Sequence, residues 1–216
     1  MEAANHLRCE RKFLISDLST QEIEEVILLH PALFSPIYHN RFVNNIYFDN
    51  LNFLSYYENI DGVTPRKKVR VRWYGDLAGQ IRKPVLEIKK KSGIVGKKEI
   101  HSLPAFSFES LFSGLKTLDK ALVLLEPTLI NRYSRKYFLS ADKHYRITLD
   151  SNINFFPTRP SSPMFFANEL PESYCVLELK YVHSMDSEAS RITNHFPFRL
   201  TKSSKYVSGI LKLHSL

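Results

Sequence analysis

Four short stretches of the chain alternate charged with apolar residues. They are Arg8-Cys-Glu10-Arg-Lys12-Phe, Lys68-Val-Arg70-Val-Arg72-Trp-Tyr, Val85-Leu-Glu87-Ile-Lys89-Lys-Lys91 and Val176-Leu-Glu178-Leu-Lys180-Tyr. In a strand, residues two apart share a face. Each stretch therefore sets Arg, Lys and Glu on one side and Val, Leu, Ile, Phe or Trp on the other. An ordinary half-buried strand carries mixed polar residues on its wet face; here that face is almost wholly charged. Strand-like segments fall at 8–15, 42–49, 66–74, 84–91, 95–101, 128–139, 144–152 and 174–182.

Between the first two strands, Ser19-Thr-Gln-Glu22 reads as a capping box that opens a helix carrying Ile23, Val26 and Ile27. Residues 51–59 predict a short helix, with Asp61-Gly62 as a turn. Leu111, Leu115, Leu118, Leu122 and Leu125 make a helical stripe over 106–126, broken near Gly114. The proline-rich stretch 154–171 has no period and reads as a loop. Residues 187–195 and 203–213 read as two further helices. Strands without βα alternation predict an α+β fold, a closed eight-stranded antiparallel β-barrel with helices packed outside. A barrel of that size encloses side chains or one small ligand. Charged faces turned inward would line a cationic tunnel studded with carboxylates. The same parity places Cys9, Cys175 and Trp73 outside, under helices. No linker or repeat divides residues 1–216, so one domain is expected.

Composition narrows the ligand. Thirty Lys and Arg against 22 Asp and Glu leave a net charge of +8, which calls for an anionic partner. Cys9 and Cys175 lack metal-ligand spacing and read as reduced, buried thiols. No run approaches the roughly 18 apolar residues of a membrane span, and the N-terminus resembles no secretory leader. A cytoplasmic protein with no membrane segment is expected. There is no phosphate loop of the GxxxxGK type, no GxGxxG turn, no HExxH and no GxSxG.

What remains is the charged pattern itself. Arginine binds phosphate oxygens with a planar fork, and lysine supplies a compact charge. Carboxylates among such cations suit Mn²⁺ or Mg²⁺, hard ions that bridge carboxylate and phosphate oxygens. Glu178 is the leading candidate ligand, followed by Glu10 or Glu87. A structural ion pair with a neighbouring arginine is the competing reading for each, most strongly for Glu87. A basic barrel could instead bind single-stranded nucleic acid through Trp73, Tyr74 and Tyr133; that alternative is the less favoured, and no nucleic acid is expected.

The segments also resemble a family. In order, they are Arg8-Cys-Glu10-Arg-Lys12-Phe; Ile46-Tyr-Phe-Asp49; Val69-Arg-Val-Arg-Trp-Tyr-Gly75; Leu86-Glu-Ile-Lys89; Tyr133-Ser-Arg135; Tyr145-Arg-Ile-Thr-Leu-Asp150; Leu177-Glu-Leu-Lys180; and Lys202-Ser-Ser-Lys205-Tyr-Val-Ser-Gly209. Together they resemble the VTC-type polyphosphate polymerase domain of the triphosphate tunnel (CYTH-like) superfamily. The resemblance implies an eight-stranded tunnel that binds ATP and inorganic polyphosphate with a divalent metal. It further implies that Arg70 and Arg72 are paired phosphate-binding arginines and that Lys12, Lys89 and Lys97 are tunnel lysines. Arg135 and Arg146 match the arginines of two later strands, Glu178 the metal-binding glutamate, and Lys202 and Lys205 the lysines before the last helix. Hydrolytic members often open with Glu-x-Glu-x-Lys, whereas Arg8 stands at the first position here. The exchange of a carboxylate for a cation favours polymerase over triphosphatase. The SPX domain and membrane helices of eukaryotic relatives are not seen, so a stand-alone microbial enzyme is expected. The alternatives are a metal-dependent tripolyphosphatase or nucleoside triphosphatase, and a non-catalytic polyphosphate-binding domain.

Overall fold

The computed structural model describes residues 8–92, 95–108, 119–158 and 170–214. Its strands are β1 (Arg8–Ile15), β2 (Ser35–Asp49), β3 (Arg66–Tyr74), β4 (Gln80–Ile81), β5 (Val85–Ser92), β6 (Val95–Ser102), β7 (Phe106–Ser107), β8 (Glu126–Leu139), β9 (Arg146–Phe156), β10 (Leu170–Pro171) and β11 (Cys175–Val182). Its helices are α1 (Thr20–Leu28), α2 (Leu54–Ile60), α3 (Ala189–Thr193) and α4 (Lys205–His214). One sheet runs β1-β11-β9-β8-β2-β3-β5-β6, with β10 added beside β9, and β4 pairs β7 separately.

Two compact units share strands β2, β8 and β9, and each is assembled from three separated segments. The first takes residues 1–41, 134–153 and 172–203; the second takes 42–133, 154–171 and 204–216. Each has its own core. In the first, Phe13, Leu177, Leu179, Ile147 and Leu149 pack with Ile23 and Ile27 of α1. The helix starts as the sequence dictates: the Ser19 hydroxyl accepts from the Glu22 amide, and the Glu22 carboxylate accepts from the Ser19 amide. Cys175 lies under this helix, 3.5 Å from the Thr20 hydroxyl. In the second unit, Val69, Val71, Trp73, Leu86 and Ile88 meet Phe106, Phe108 and Leu122. Trp73 is wholly buried, its indole donating to the Asp76 carbonyl at 2.9 Å. The apolar halves of the alternating stretches thus become cores, as period two requires.

The predicted closed barrel is corrected. Closure requires the first and last strands to exchange hydrogen bonds. Among the described residues β1 and β6 stand at opposite ends of the strand order and are not paired. The outer edge of β1 is taken by an irregular segment instead. Leu200 bridges Phe13, the Thr201 amide donates to the Lys12 carbonyl at 2.8 Å, and the Leu14 amide donates to the Thr201 hydroxyl at 3.0 Å. Strand β6 exposes Lys97 and Lys98, charges of the kind that discourage further pairing.

Helices lie on more than the apolar side. Helix α4 packs on the charged side of its own unit. The Lys68 ammonium donates to the Ser204 hydroxyl at 2.9 Å, the Tyr206 ring stacks on Tyr47 at 5.3 Å, and the Tyr206 hydroxyl donates to Asp49 at 2.5 Å. Gly209 permits the approach, since a Cβ there would lie 2.7 Å from Phe155 and 2.9 Å from Leu129. Asp49 also receives the Ser55 and Tyr56 amides, so one carboxylate holds both α2 and α4.

Two further expectations change. Residues 106–107 form a strand, because Phe106 and Phe108 alternate into the core rather than following a helical stripe. Residues 154–156 extend β9, and 170–171 pair with it. The predicted stripe at Leu111, Leu115 and Leu118, the break at Gly114 and the middle of the 154–171 loop fall outside the described residues.

Candidate functional site

Each unit carries one buried carboxylate ringed by cations. In the second unit, antiparallel pairing sets Tyr47 opposite Arg70 and Arg70 opposite Glu87, with Asn45 opposite Arg72 in the next row. Arg70 donates Nε to Glu87 Oε2 at 2.7 Å and places Nη2 at 2.6 Å from the same oxygen. Lys98 reaches Glu87 Oε1 at 2.5 Å, and Arg72 Nη1 stands 3.4 Å from that oxygen. Tyr47 and Asn45 take the remaining reach of the arginines, at 3.2 Å from Arg70 Nη1 and 2.9 Å from Arg72 Nε. Asn45 in turn donates to Asn131 at 2.9 Å. Burial would raise the Glu87 carboxyl, but Arg70, Arg72 and Lys98 hold it at about 2. Burial would likewise lower the Arg70 guanidinium, yet Tyr47 and Glu87 hold it above its ordinary value.

In the first unit, Lys12 lies opposite Glu178 and Glu178 opposite Thr148, while Glu10, Lys180 and Arg146 form the adjoining row. Glu178 is buried. It receives Lys180 at 2.7 Å and Lys12 at 3.0 Å, with Arg135 at 3.8 Å. Arg135 is held in a two-pronged pair by the wholly buried Asp150, at 2.5 Å and 2.7 Å. The Lys12 ammonium also stands 3.9 Å from Glu10 and donates to the Ser203 carbonyl at 3.3 Å. Burial lowers the Lys180 ammonium, and Glu178 only partly opposes that.

The expected residues thus divide between two clusters. Lys12, Glu10, Glu178, Arg135 and Arg146 lie in the first unit; Arg70, Arg72 and Lys89 lie in the second, on the face of Glu87. Arg146 and Lys89 are exposed at the margins of these faces. Lys205, at the start of α4, sits over the Tyr133 ring at 4.7 Å, and Lys202 is exposed. Lys97 does not join either cluster. It stands opposite Lys90, on the other face of β6, with its side chain 77% exposed and 3.6 Å from Glu99. Its neighbour Lys98 occupies the inward position. Sequence reasoning missed Lys98, Asp150, Tyr47 and Asn45. The parity of Asp150 with Arg146 and Thr148 was the available signal for one of them.

Among the described residues no three His, Cys, Asp or Glu side chains gather as a preformed metal cage. The donors still fit a hard divalent cation. Glu10 and Glu178 flank the same lysine, and one or two carboxylates plus substrate phosphates are the usual protein share of a Mg²⁺ site.

Solved structures share this fold. A Pyrococcus horikoshii protein aligns with a TM-score of 0.58 at 12% identity, over 95% of this chain and 99% of its own. A Hippeastrum adenylyl cyclase candidate, described as having a dominant triphosphatase activity, gives 0.52 at 13% identity over 93% of each chain. An adenylate cyclase candidate from Vibrio parahaemolyticus gives 0.54 at 11% identity, over 94% of this chain and 98% of its own. No curated protein matches the sequence. At 11–13% identity these likenesses show a shared fold. The VTC domain matches residues 7–121 and 107–214, and the chain belongs to that family. Among the described residues no helix is long and apolar enough to cross a membrane.

Proposed function

We propose that the protein transfers the γ-phosphoryl group of ATP to the end of a polyphosphate chain and releases ADP. One observation carries this reading: on both charged faces cations outnumber carboxylates. Arg8, Lys12, Arg135, Arg146 and Lys180 share a face with Glu10, Asp150 and Glu178; Lys68, Arg70, Arg72, Lys89 and Lys98 share one with Asp49 and Glu87. Partly exposed faces with cations in excess attract an anion, and a chain of phosphates supplies the balance.

Phosphoryl transfer asks little covalent chemistry of a protein. It needs alignment and neutralisation of spread negative charge. Arg70 and Arg72, fixed by Glu87, Tyr47 and Asn45, present oriented forks that need not reorganise during reaction. Arg135, held by Asp150, does the same in the first unit, and Lys12, Arg146, Lys89, Lys202 and Lys205 add positive charge. Glu178 with Glu10 would hold Mn²⁺ or Mg²⁺, which when bound neutralises phosphate oxygens. A terminal phosphate acceptor is already ionised, so no general base is required.

The test incubates purified protein with ATP and Mn²⁺. Long-chain polyphosphate on a gel, in step with ADP, is the expected result. Orthophosphate in step with ADP and no polymer makes the protein a triphosphatase. Binding of polyphosphate without turnover makes it a binding domain. Oligonucleotide binding that short polyphosphate cannot displace refutes the polyphosphate reading outright.

A further inference from the structure

At one end of the first unit's charged face lies a group that phosphate chemistry does not use. Tyr38 of β2 and Tyr137 of β8 meet edge to face, with ring centroids 5.5 Å apart and planes at 89°. The Arg41 guanidinium sits over both, 5.1 Å from the Tyr38 centroid and 4.7 Å from that of Tyr137. Tyr137 is buried, whereas Tyr38 is 52% exposed. Beside them the Ser134 hydroxyl donates to Asn40 at 2.7 Å and pins the two strands together. Tyr137 follows Arg135 by two residues on β8, so it shares the face that carries Asp150 and Glu178 and lies roughly 7 Å further along.

We propose that Tyr38, Arg41 and Tyr137 form a platform on which the base of a nucleoside triphosphate stacks while its phosphates lie along the Glu178 face. The proposal rests on the nucleotide reading above and adds where the base goes. A guanidinium plane and a half-exposed phenol ring, both held by a buried partner ring, are the surfaces on which bases stack in nucleic-acid-binding proteins. The cation over the rings fixes them and draws electron density from their faces. Stacking strength grows with the size of the π-face, so purines should bind more tightly than pyrimidines.

Calorimetric titration with ATP and with tripolyphosphate, in the same buffer and metal, tests the idea. Tyr38→Ala should weaken ATP binding by roughly tenfold and leave tripolyphosphate binding unchanged, whereas Tyr38→Phe should retain both. Arg41→Lys keeps the charge but loses the plane, and should weaken ATP selectively. An equal loss for both ligands, or no loss for either, overturns the platform. On the wild-type protein, where no variant has to fold, ATP should bind more tightly than CTP, and equal affinities overturn the proposal as well. Wild-type protein that fails to bind tripolyphosphate refutes the polyanion reading itself. Tripolyphosphate binding with no discrimination among nucleotides refutes only the platform.

Discussion

The two charged clusters are built from the same device and end in different places. In both, a buried glutamate meets cations that the sheet brings to its face. Around Glu87 the cations are two arginines and a lysine, and the arginines are further fixed by Tyr47 and Asn45. Around Glu178 they are two lysines with one arginine at longer range, and that arginine is already committed to Asp150. A second carboxylate, Glu10, approaches through Lys12. The first arrangement is a clamp: its carboxylate is consumed in orienting arginines. The second is richer in carboxylate and looser in geometry, which suits exchange of a lysine contact for a metal ion. On the proposed reading Glu87 positions arginines and Glu178 holds the metal, the ranking that the sequence pattern already favoured.

The largest effects should come from the arginines that the clamp orients. Arg70→Ala or Arg72→Ala should lower turnover by on the order of 10²-fold or more, as loss of a preorganised donor does elsewhere. Glu178→Gln should abolish the metal-dependent rate and, because the amide still accepts from Lys12 and Lys180, cost less stability than removal of the Glu87 side-chain oxygens. Glu87→Leu should cost about 3–5 kcal/mol in urea unfolding because it strands cations in a buried site. If Glu87→Gln instead removed metal dependence and Glu178→Gln did not, the roles of the two clusters would be exchanged.

Acid sharpens the same contrast. The Glu87 carboxyl is held at about 2, against an ordinary value of 4.5. A depressed carboxyl binds its proton more readily unfolded than folded, so its contribution is complete above pH 4.5. The contribution is lost as pH falls from there towards about 2. Urea midpoints measured between pH 2 and 7 should fall more steeply for the wild type than for Glu87→Gln over that window. Parallel curves would mean that the cations do not hold the carboxylate as the geometry implies.

Period two made much of this visible before any coordinates. It found the strands, their charged faces and the cores behind them, because a one-residue shift would drive Val69 and Val71 of β3, or Leu177 and Leu179 of β11, out of their cores. It could not reveal how the sheet ends. The edge of β1 is covered by Leu200 and Thr201, which belong to no periodic element. Nor could it place α4, whose seat depends on Tyr206 reaching Asp49 and on the missing side chain of Gly209. Asp150 is in phase with Arg146 and Thr148, but period two does not reveal that it pairs with Arg135, and Asn45 lies beside Asn44 with no alternation to single it out. Their partners, Arg135 and Arg72, lie 15 and 27 residues away in sequence.

The smallest expected effect separates two adjacent lysines. Lys97 is the one that the family resemblance suggested, and Lys98 the one that parity places against Glu87. In β6 they point to opposite faces, one paired with Lys90 and the other with Lys89. The Lys97 contact to Glu99 is exposed, and pairs of that kind contribute about 0–1 kcal/mol. Lys97→Ala should therefore leave both turnover and the unfolding midpoint nearly unchanged. Lys98→Met removes one of the cations holding Glu87 and keeps the length of the stem. It should raise the Glu87 carboxyl from its depressed value and shift the acid limb of the stability curve upward in pH. Because Arg70 and Arg72 remain, the shift should be smaller than the change made by Glu87→Gln. A loss of activity in Lys97→Ala with none in Lys98→Met would mean that β6 is paired one residue out of register from that described, and the clamp would have to be rebuilt around the other face.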